Sequence, residues 1–143
     1  MSGYTPTNEL QHLQQSQLGS AIVMLLERFG DWLETAHFED VGGGSQRCVD
    51  MDLRQNLDFL LPELGISTLF GSRHWGYTIW RIAGPSAARF RNSKGEAYIY
   101  PIRVYSGPRS TISGLALSVG EMTYIKEEVT VTPALVCLFV VAL

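Results

Sequence analysis

The amino-acid sequence predicts a single α+β domain, in which a long amphipathic N-terminal helix and a short second helix pack on a mainly antiparallel sheet of about five to six strands. The chain has 143 residues, of which 45% are apolar and 17% charged, and these values are typical of a globular domain with a hydrophobic core. Apolar residues recur at helical spacing in the first quarter. After Ile66, β-branched and aromatic residues alternate with turn formers.

The first predicted helix is supported by its start signals and by one apolar stripe. Thr5 or Thr7 can cap it, and Pro6 suits a first helical position. Apolar residues then follow the i, i+3, i+4 rhythm of a buried face; they are Leu10, Leu13, Leu18, Ile22, Leu25, Leu26, Phe29, Leu33 and Ala36. We expect a polar arm over residues 1–17 and the main helix over residues 18–41, with a bend near Gly19.

A glycine-rich segment predicts the boundary after this helix. Residues 42–45 read Gly-Gly-Gly-Ser, which is costly to order as helix, so we expect a loop there and the short helix and sheet over residues 46–143. A short strand is predicted to run into Asp52. A second helix then follows, with Asp52 as its cap and a stop at Pro62 and Gly65.

The rest of the chain predicts strands. Alternation begins at Trp75, and residues 92–95, Asn-Ser-Lys-Gly, are typical of a hairpin turn. Pro101 predicts an edge or bulge position in its strand because it lacks an N–H to donate. The further predicted strands cover Ala97–Tyr105, Thr111–Val119, Glu121–Val131 and Ala134–Leu143, the last being the most buried.

Several classes of protein are disfavoured by simple signals. The N-terminus has no basic region followed by an apolar one, so we expect synthesis in the cytoplasm without a secretory signal. The longest apolar run, Ala134–Leu143, is half the length that a membrane helix needs. Cys48 and Cys137 have no second pair nearby, which favours buried thiols over a disulfide framework. No cofactor is indicated.

Charge is distributed unevenly along the chain. Residues 1–72 hold three basic and ten acidic residues, a net of −7; residues 73–109 hold seven basic residues and Glu96, a net of +6; residues 110–143 have a net of −2. Six of the seven cations in the middle segment are arginines, interleaved with tryptophan and tyrosine. This pattern favours recognition of an anionic partner.

Catalytic signals are weaker. His37 near Glu39 and Asp40 could bind a cation, but a charged helix end beside a flexible loop is favoured. His74 could be an acid or base in a cleft, but a strand-edge histidine is favoured. Asp50 and Asp52 would share a strand face. The glycine-rich loop lacks the lysine and the strand–loop–helix context of a phosphate-binding loop. Because each pattern has an ordinary structural explanation, an enzyme is the third interpretation.

The leading interpretation is a non-enzymatic structural or interaction protein that acts in a homo-oligomer or larger assembly, such as a virus or phage particle. Its acidic front could dock on the basic middle of a neighbouring copy. The alternative is a small module that binds a nucleotide, nucleic acid or other phosphorylated ligand through arginines and aromatic rings on one sheet face. Under either interpretation the expected binding residues are Arg73, Trp75, Arg81, Arg89, Arg91, Lys94, Arg103 and Arg109.

Overall fold

Two antiparallel sheets form the framework of the described structure. The structure, a computed structural model, describes residues 13–93, 95–105 and 109–143. Within these ranges it contains eleven strands and three short helices. In order they are β1 Leu13–Gln17, α1 Ser20–Leu33, β2 Phe38–Gly42, β3 Ser45–Cys48, α2 Leu53–Leu57, α3 Ile66–Phe70, β4 Trp75–Ile82, β5 Ala88–Phe90, β6 Ala97–Val104, β7 Thr111–Ile112, β8 Leu115–Ala116, β9 Glu121–Ile125, β10 Val129–Val131 and β11 Leu135–Ala142.

The predicted fold class is wrong, because the chain forms two sheets rather than one sheet under a long helix. The larger sheet has the order β1-β9-β6-β11-β4-β3-β2, and the smaller one the order β5-β10-β7-β8. The eight strands β4 to β11 are arranged over the two sheets in the order of a double-sheet jelly roll, in which β11 lies beside β4. Helix α1 packs on the outer face of the larger sheet, against β6.

The long helix was predicted because its apolar spacing continues to Ala36, but α1 ends at Leu33. The chain turns there, and Thr35 donates a backbone hydrogen bond to Trp32. Phe38 then starts a strand in a segment predicted to be helical. At the other end, the segment predicted as a polar arm includes β1, and residues 1–12 lie outside the described residues. Tertiary pairing has overridden local helical periodicity at both ends.

The glycine-rich segment forms a tight hairpin turn. Gly43 and Gly44 both have positive φ, 65° and 85°, as a two-residue hairpin loop requires, and they join β2 to β3. A Cβ on Gly44 would lie 1.9 Å from the carbonyl oxygen of Gly84. Position 44 therefore accepts only glycine without a backbone shift, and the turn holds β3 against β4.

The predicted second helix is also shorter than expected. Asp52 takes the N-cap position of α2, but its side chain makes no capping bond, and α2 ends at Leu57, well before Pro62. Residues 58–65 continue as turns into α3. This short, irregular segment covers one end of the larger sheet.

Pro101 lies at a bulge in a central strand. Strand β6 runs between β9 and β11, and its register with β11 shifts between Val136 and Cys137, the latter pairing with Pro101. The missing N–H is thus placed where the ladder is already interrupted. The bulge alternative was correct and the edge alternative wrong. The expectation that the C-terminal strand is the most buried is confirmed, since β11 is almost wholly buried.

The larger sheet has two different faces, because side chains alternate along its strands. One face packs against α1, α2 and α3 and includes Tyr100 and Leu138. The other faces the smaller sheet and includes Ile99 and Phe139. Among the described residues, no helix has the length and apolar composition to span a membrane.

Candidate interaction surfaces

Arg81 and Arg103 hold the C-terminal half of α1 against the larger sheet. Both residues pair in register with Val136 of β11, from either side, so they extend from the same face. The Arg103 guanidinium contacts the carboxylate of Asp31 and donates to the carbonyl of Glu27, 3.4 Å away. Arg81 donates to the Leu33 carbonyl at 3.5 Å. A cation near a helix C-terminus also interacts favourably with the helix dipole.

Arg81 has two more partners, which fix its orientation. Its guanidinium lies over the Phe38 ring, 3.8 Å from the centroid, and donates to Gln46 Oε1 at 3.1 Å. A stacked, hydrogen-bonded guanidinium of this kind serves the fold. Arg81 and Arg103 therefore attach α1 to the larger sheet.

A second group forms around Glu96, at the opposite end of β6. The Arg73 guanidinium contacts one carboxylate oxygen of Glu96, and the Tyr124 hydroxyl donates to the other at 2.9 Å. These two bonds lower the pKa of Glu96, the bond from Arg73 having the larger effect. Burial, together with the bond to Glu96, raises the pKa of Tyr124 to about 12. Arg73 also lies over the Phe70 ring, so this cation too has partners within the molecule.

Trp75 lies close to this group without contributing to it. Its ring stacks on Phe70, with centroids 6.4 Å apart, and it lines a cleft between the α2–α3 segment and β4. The indole N–H makes no hydrogen bond within the described chain.

The remaining predicted cations lie away from the helix face. Arg89 on β5 is 79% exposed and lies 3.9 Å from Glu128, at the limit of an ion pair. Arg91 is exposed and has no carboxylate partner among the described residues. Arg109 donates to the Ser118 hydroxyl at 3.2 Å, and Lys94 lies outside the described residues. The structure thus brings Arg81 together with Arg103, and Arg73 near Trp75, but it does not bring all the predicted residues onto one surface.

The catalytic candidates have ordinary structural environments. The carboxylate of Asp50 accepts backbone N–H bonds from His37 and Asp52, both at 2.9 Å, and these bonds lower the pKa of Asp50. Asp50 and Asp52 lie in a turn, not on a strand face. Within the described ranges no three His, Cys, Asp or Glu side chains are placed to hold a metal ion.

Cys48 and Cys137 are both buried free thiols, as predicted. Burial raises the pKa of each thiol, so both behave as small apolar side chains. Cys137 belongs to the cluster of side chains between the two sheets. There the rings of Trp80, Phe90 and Phe139 pack in series, with centroids 5.9 and 5.0 Å apart. Aromatic and aliphatic side chains thus fill the interior where a wider barrel would hold a ligand.

Strand β1 has a free edge with respect to the residues that the structure describes. Among them it is the outermost strand of the larger sheet and pairs only with β9, in the register Gln15 to Thr123. Leu18 donates its backbone N–H to Gly120, and strand alternation then directs the N–H and C=O groups of Leu13, Gln15 and Gln17 away from β9. Its sequence, Leu-Gln-Gln-Ser-Gln, contains no charge and no proline, the usual protections of an edge.

Sequence reasoning missed this strand because its polar residues lack apolar alternation. The only signal was that residues 10–26 contain no Asp, Glu, Lys or Arg and a single histidine, His12. A solvated arm does not require this absence of charged residues. The edge strand is therefore identified by the structure and not by the sequence.

Comparison with solved structures supports the fold alone. The chain is similar to the crystal structure of a prolyl-4-hydroxylase from Pseudomonas putida, with a TM-score of 0.54 and 12% identity over 90% of each chain. A viral collagen prolyl hydroxylase from Paramecium bursaria Chlorella virus-1 matches with a TM-score of 0.40 and 6% identity, over 98% of this chain and 96% of that one. No protein-family model matches the sequence, and no curated protein does.

Proposed function

We propose that this chain is a non-enzymatic structural or interaction protein that works as a homo-oligomer, in which two copies pair through the free edge of β1. The observation that carries this proposal is the unprotected edge itself: a terminal strand with outward backbone groups and no charged or proline residue. Such edges bind other strands through main-chain hydrogen bonds.

A second copy of the same strand fits this edge in a definite register. In a two-fold arrangement Gln15 would oppose Gln15 of the other copy, and Leu13 would oppose Gln17. All three pairs then join residues whose backbone groups point outward, which allows about six hydrogen bonds across the axis. The two larger sheets would become one continuous sheet, and the pair would be one contact of any larger assembly, such as the virus or phage particle expected from the sequence.

The hydroxylase activity named for the similar structures does not enter the proposal. Non-haem iron oxygenases hold their metal with two histidines and one carboxylate. In the described part of the chain, His37 and His74 belong to no cluster of three potential metal ligands. We therefore derive no oxidation step.

The test uses a proline that removes one outward donor. Gln15→Pro deletes an N–H that has no partner in residues 13–93, 95–105 and 109–143, so it should leave the fold intact but block pairing. We expect the wild type to be a monomer–dimer mixture with a dissociation constant of the order of 10–100 µM, because the interface is small. The proline variant should be monomeric in sedimentation equilibrium, with an unchanged circular dichroism spectrum.

The matched control is Gln15→Ala. It removes the side-chain bonds of Gln15 to Ala116 and Thr123 but keeps the backbone N–H, and we expect it to form the dimer. Pairing should also persist at high salt, because β1 has no charges to screen. A wild type that stays monomeric up to about 1 mM, or a Gln15→Pro variant that dimerises like the wild type, would overturn the proposal.

A further inference from the structure

A cleft at the other side of the larger sheet has the composition of a small-molecule site. It lies between the α2–α3 segment and β4 and has a volume of about 500 Å³, which is within the range of ligand pockets. Leu61, Pro62 and Ile66 form its apolar side. Trp75 and Tyr77, two residues apart on β4, present their rings on the same face of the strand. The cleft thus has a flat aromatic floor and an aliphatic wall.

Two opposite charges stand at the mouth of this cleft. Arg54 and Asp58 are one helical turn apart and both are exposed. Within the described part of the chain neither side chain has an ion-pair partner within 4 Å, including the other one. Both act on Tyr77, Arg54 lowering and Asp58 raising its pKa, while burial has the largest effect and raises it. The two charges therefore face the aromatic floor without neutralising each other by direct contact.

Polar groups of the cleft are likewise unpaired. The Trp75 indole N–H, the Tyr77 hydroxyl and the Ser67 hydroxyl make no hydrogen bond to the described residues. By contrast, Trp80 donates its indole N–H to Thr78 at 2.8 Å, and Tyr124 donates to Glu96. Several donors and acceptors that converge on one concave surface without internal partners are a feature of binding sites.

We propose that this cleft binds a small zwitterion with an aromatic body, the chemistry of an aromatic amino acid. The ligand carboxylate pairs with the Arg54 guanidinium, which suits a planar carboxylate. Its ammonium group pairs with Asp58, and its ring packs on Trp75 and Tyr77. Asp58 disfavours phosphates and other dianions, because it places a like charge beside the anion position.

The site is independent of the proposed pairing of β1. Strand β4 is separated from β1 by three strands of the larger sheet, β9, β6 and β11. Failure of ligand binding would leave the dimer untouched, and the converse also holds.

The test uses L-phenylalanine as the probe, with phenylacetate and phenethylamine as its anionic and cationic halves. Binding is followed by the three tryptophan indole N–H signals in a nitrogen–proton correlation spectrum. We expect L-phenylalanine to shift the signal of Trp75 with a dissociation constant of about 1 mM, as ligand efficiency allows for a molecule of this size. The signals of Trp32 and Trp80, which lie outside the cleft, should stay in place. Each half-ligand should bind at least about tenfold more weakly.

Variants separate the two charges. Arg54→Met should weaken L-phenylalanine binding about tenfold and leave phenethylamine binding unaffected. Asp58→Asn should weaken phenethylamine binding about tenfold and leave phenylacetate binding unaffected. Arg28→Met is the matched control, since Arg28 is an exposed helical arginine on α1, and it should bind like the wild type. No shift of the Trp75 signal up to about 10 mM ligand, or equal binding by Arg54→Met and the wild type, would overturn the proposal.

Discussion

The two faces of the larger sheet are built from the same strands but stabilised in different ways. On β11, Leu138 points to the helices and Phe139 to the smaller sheet. The helix face includes the guanidinium contacts of Arg81 and Arg103 and the Glu96 network at its rim. Between the sheets, aromatic and aliphatic side chains pack without charged groups. Fully buried hydroxyl groups among the described residues belong to Ser110, Thr123 and, on the helix face, Tyr100.

This difference follows from access to water. Each sheet closes the other's inner face, so any charge there would lose its hydration without a compensating partner. The centre of the helix face is also closed, since Tyr100 and Leu138 are fully buried under the helices. Only its edges are open, and long arginine side chains can reach them while their stems stay buried. Both faces bury apolar clusters that stabilise the fold. We infer that the polar contacts of the helix face fix where α1 lies.

The largest expected effect comes from breaking the inner face. Phe139 lies on the central strand β11, and its ring centroid is 5.0 Å from that of Phe90. We expect Phe139→Ala to lower the free energy of unfolding by about 4 kcal/mol. Tyr105→Ala is the control from the helix side, where the ring is 37% exposed; it should cost less than about 1 kcal/mol. Urea denaturation measures both. Similar losses for the two variants would show that the buried rings between the sheets stabilise the fold no more than the exposed rim of the helix face.

A smaller effect tests how α1 is held. Gly30 in α1 lies under Arg103, and a Cβ there would be 2.7 Å from Arg103 Nε. Alanine normally stabilises a helix by about 1 kcal/mol relative to glycine. In Gly30→Ala we expect this gain to be cancelled, because the guanidinium is pushed away from Asp31. In an Arg103→Ala background the same substitution should stabilise the protein by about 1 kcal/mol.

The cycle of these two substitutions is measured by chemical denaturation. Additive effects of Gly30→Ala and Arg103→Ala would show that Arg103 does not constrain α1 through this contact.

The sequence predicts these faces only in part. The apolar stripe of α1 is visible because Leu26, Phe29 and Leu33 recur at helical spacing and all three are buried. The burial of β11 is equally visible, since its continuous apolar run, without alternating polar residues, is typical of a strand buried on both faces. The end of α1 is not visible, because it depends on Phe38 and Arg81 meeting 43 residues apart along the chain. The second sheet is missed for a related reason: β7 and β8 are two residues each and are joined by a Ser113–Gly114 turn, so they show no periodicity.

The candidate binding residues illustrate the same limit. The sequence places Arg73, Arg81 and Arg103 in one cationic segment, yet acceptors from distant elements engage each of them. Charge counts along a sequence contain no information about such partners, which only the folded chain brings close. The cleft residues Arg54 and Asp58 gave one usable signal, their i, i+4 spacing in a predicted helix.

The smallest expected effect concerns the rim of the helix face, where a fall in pH weakens the contacts of Glu96. Because its bonds to Arg73 and Tyr124 hold the pKa of Glu96 below its ordinary 4.5, the folded protein favours the ionised carboxylate. Its stabilising effect is complete above the unfolded pKa and is lost as the pH falls through the folded value. We expect Glu96→Gln to lower the free energy of unfolding by about 0.5 kcal/mol at pH 7 and to have little effect at about pH 3.

Glu39→Gln provides the contrast, because Glu39 lies 3.9 Å from Arg47 in an exposed pair with no hydrogen bond to it. Its substitution should change stability by less than about 0.3 kcal/mol at either pH. Thermal unfolding across this pH range separates the two variants. A pH-independent loss in Glu96→Gln would mean that the side chain acts through packing rather than through its charge. In that case the polar contacts at the rim of the helix face would not differ in kind from the apolar contacts between the sheets.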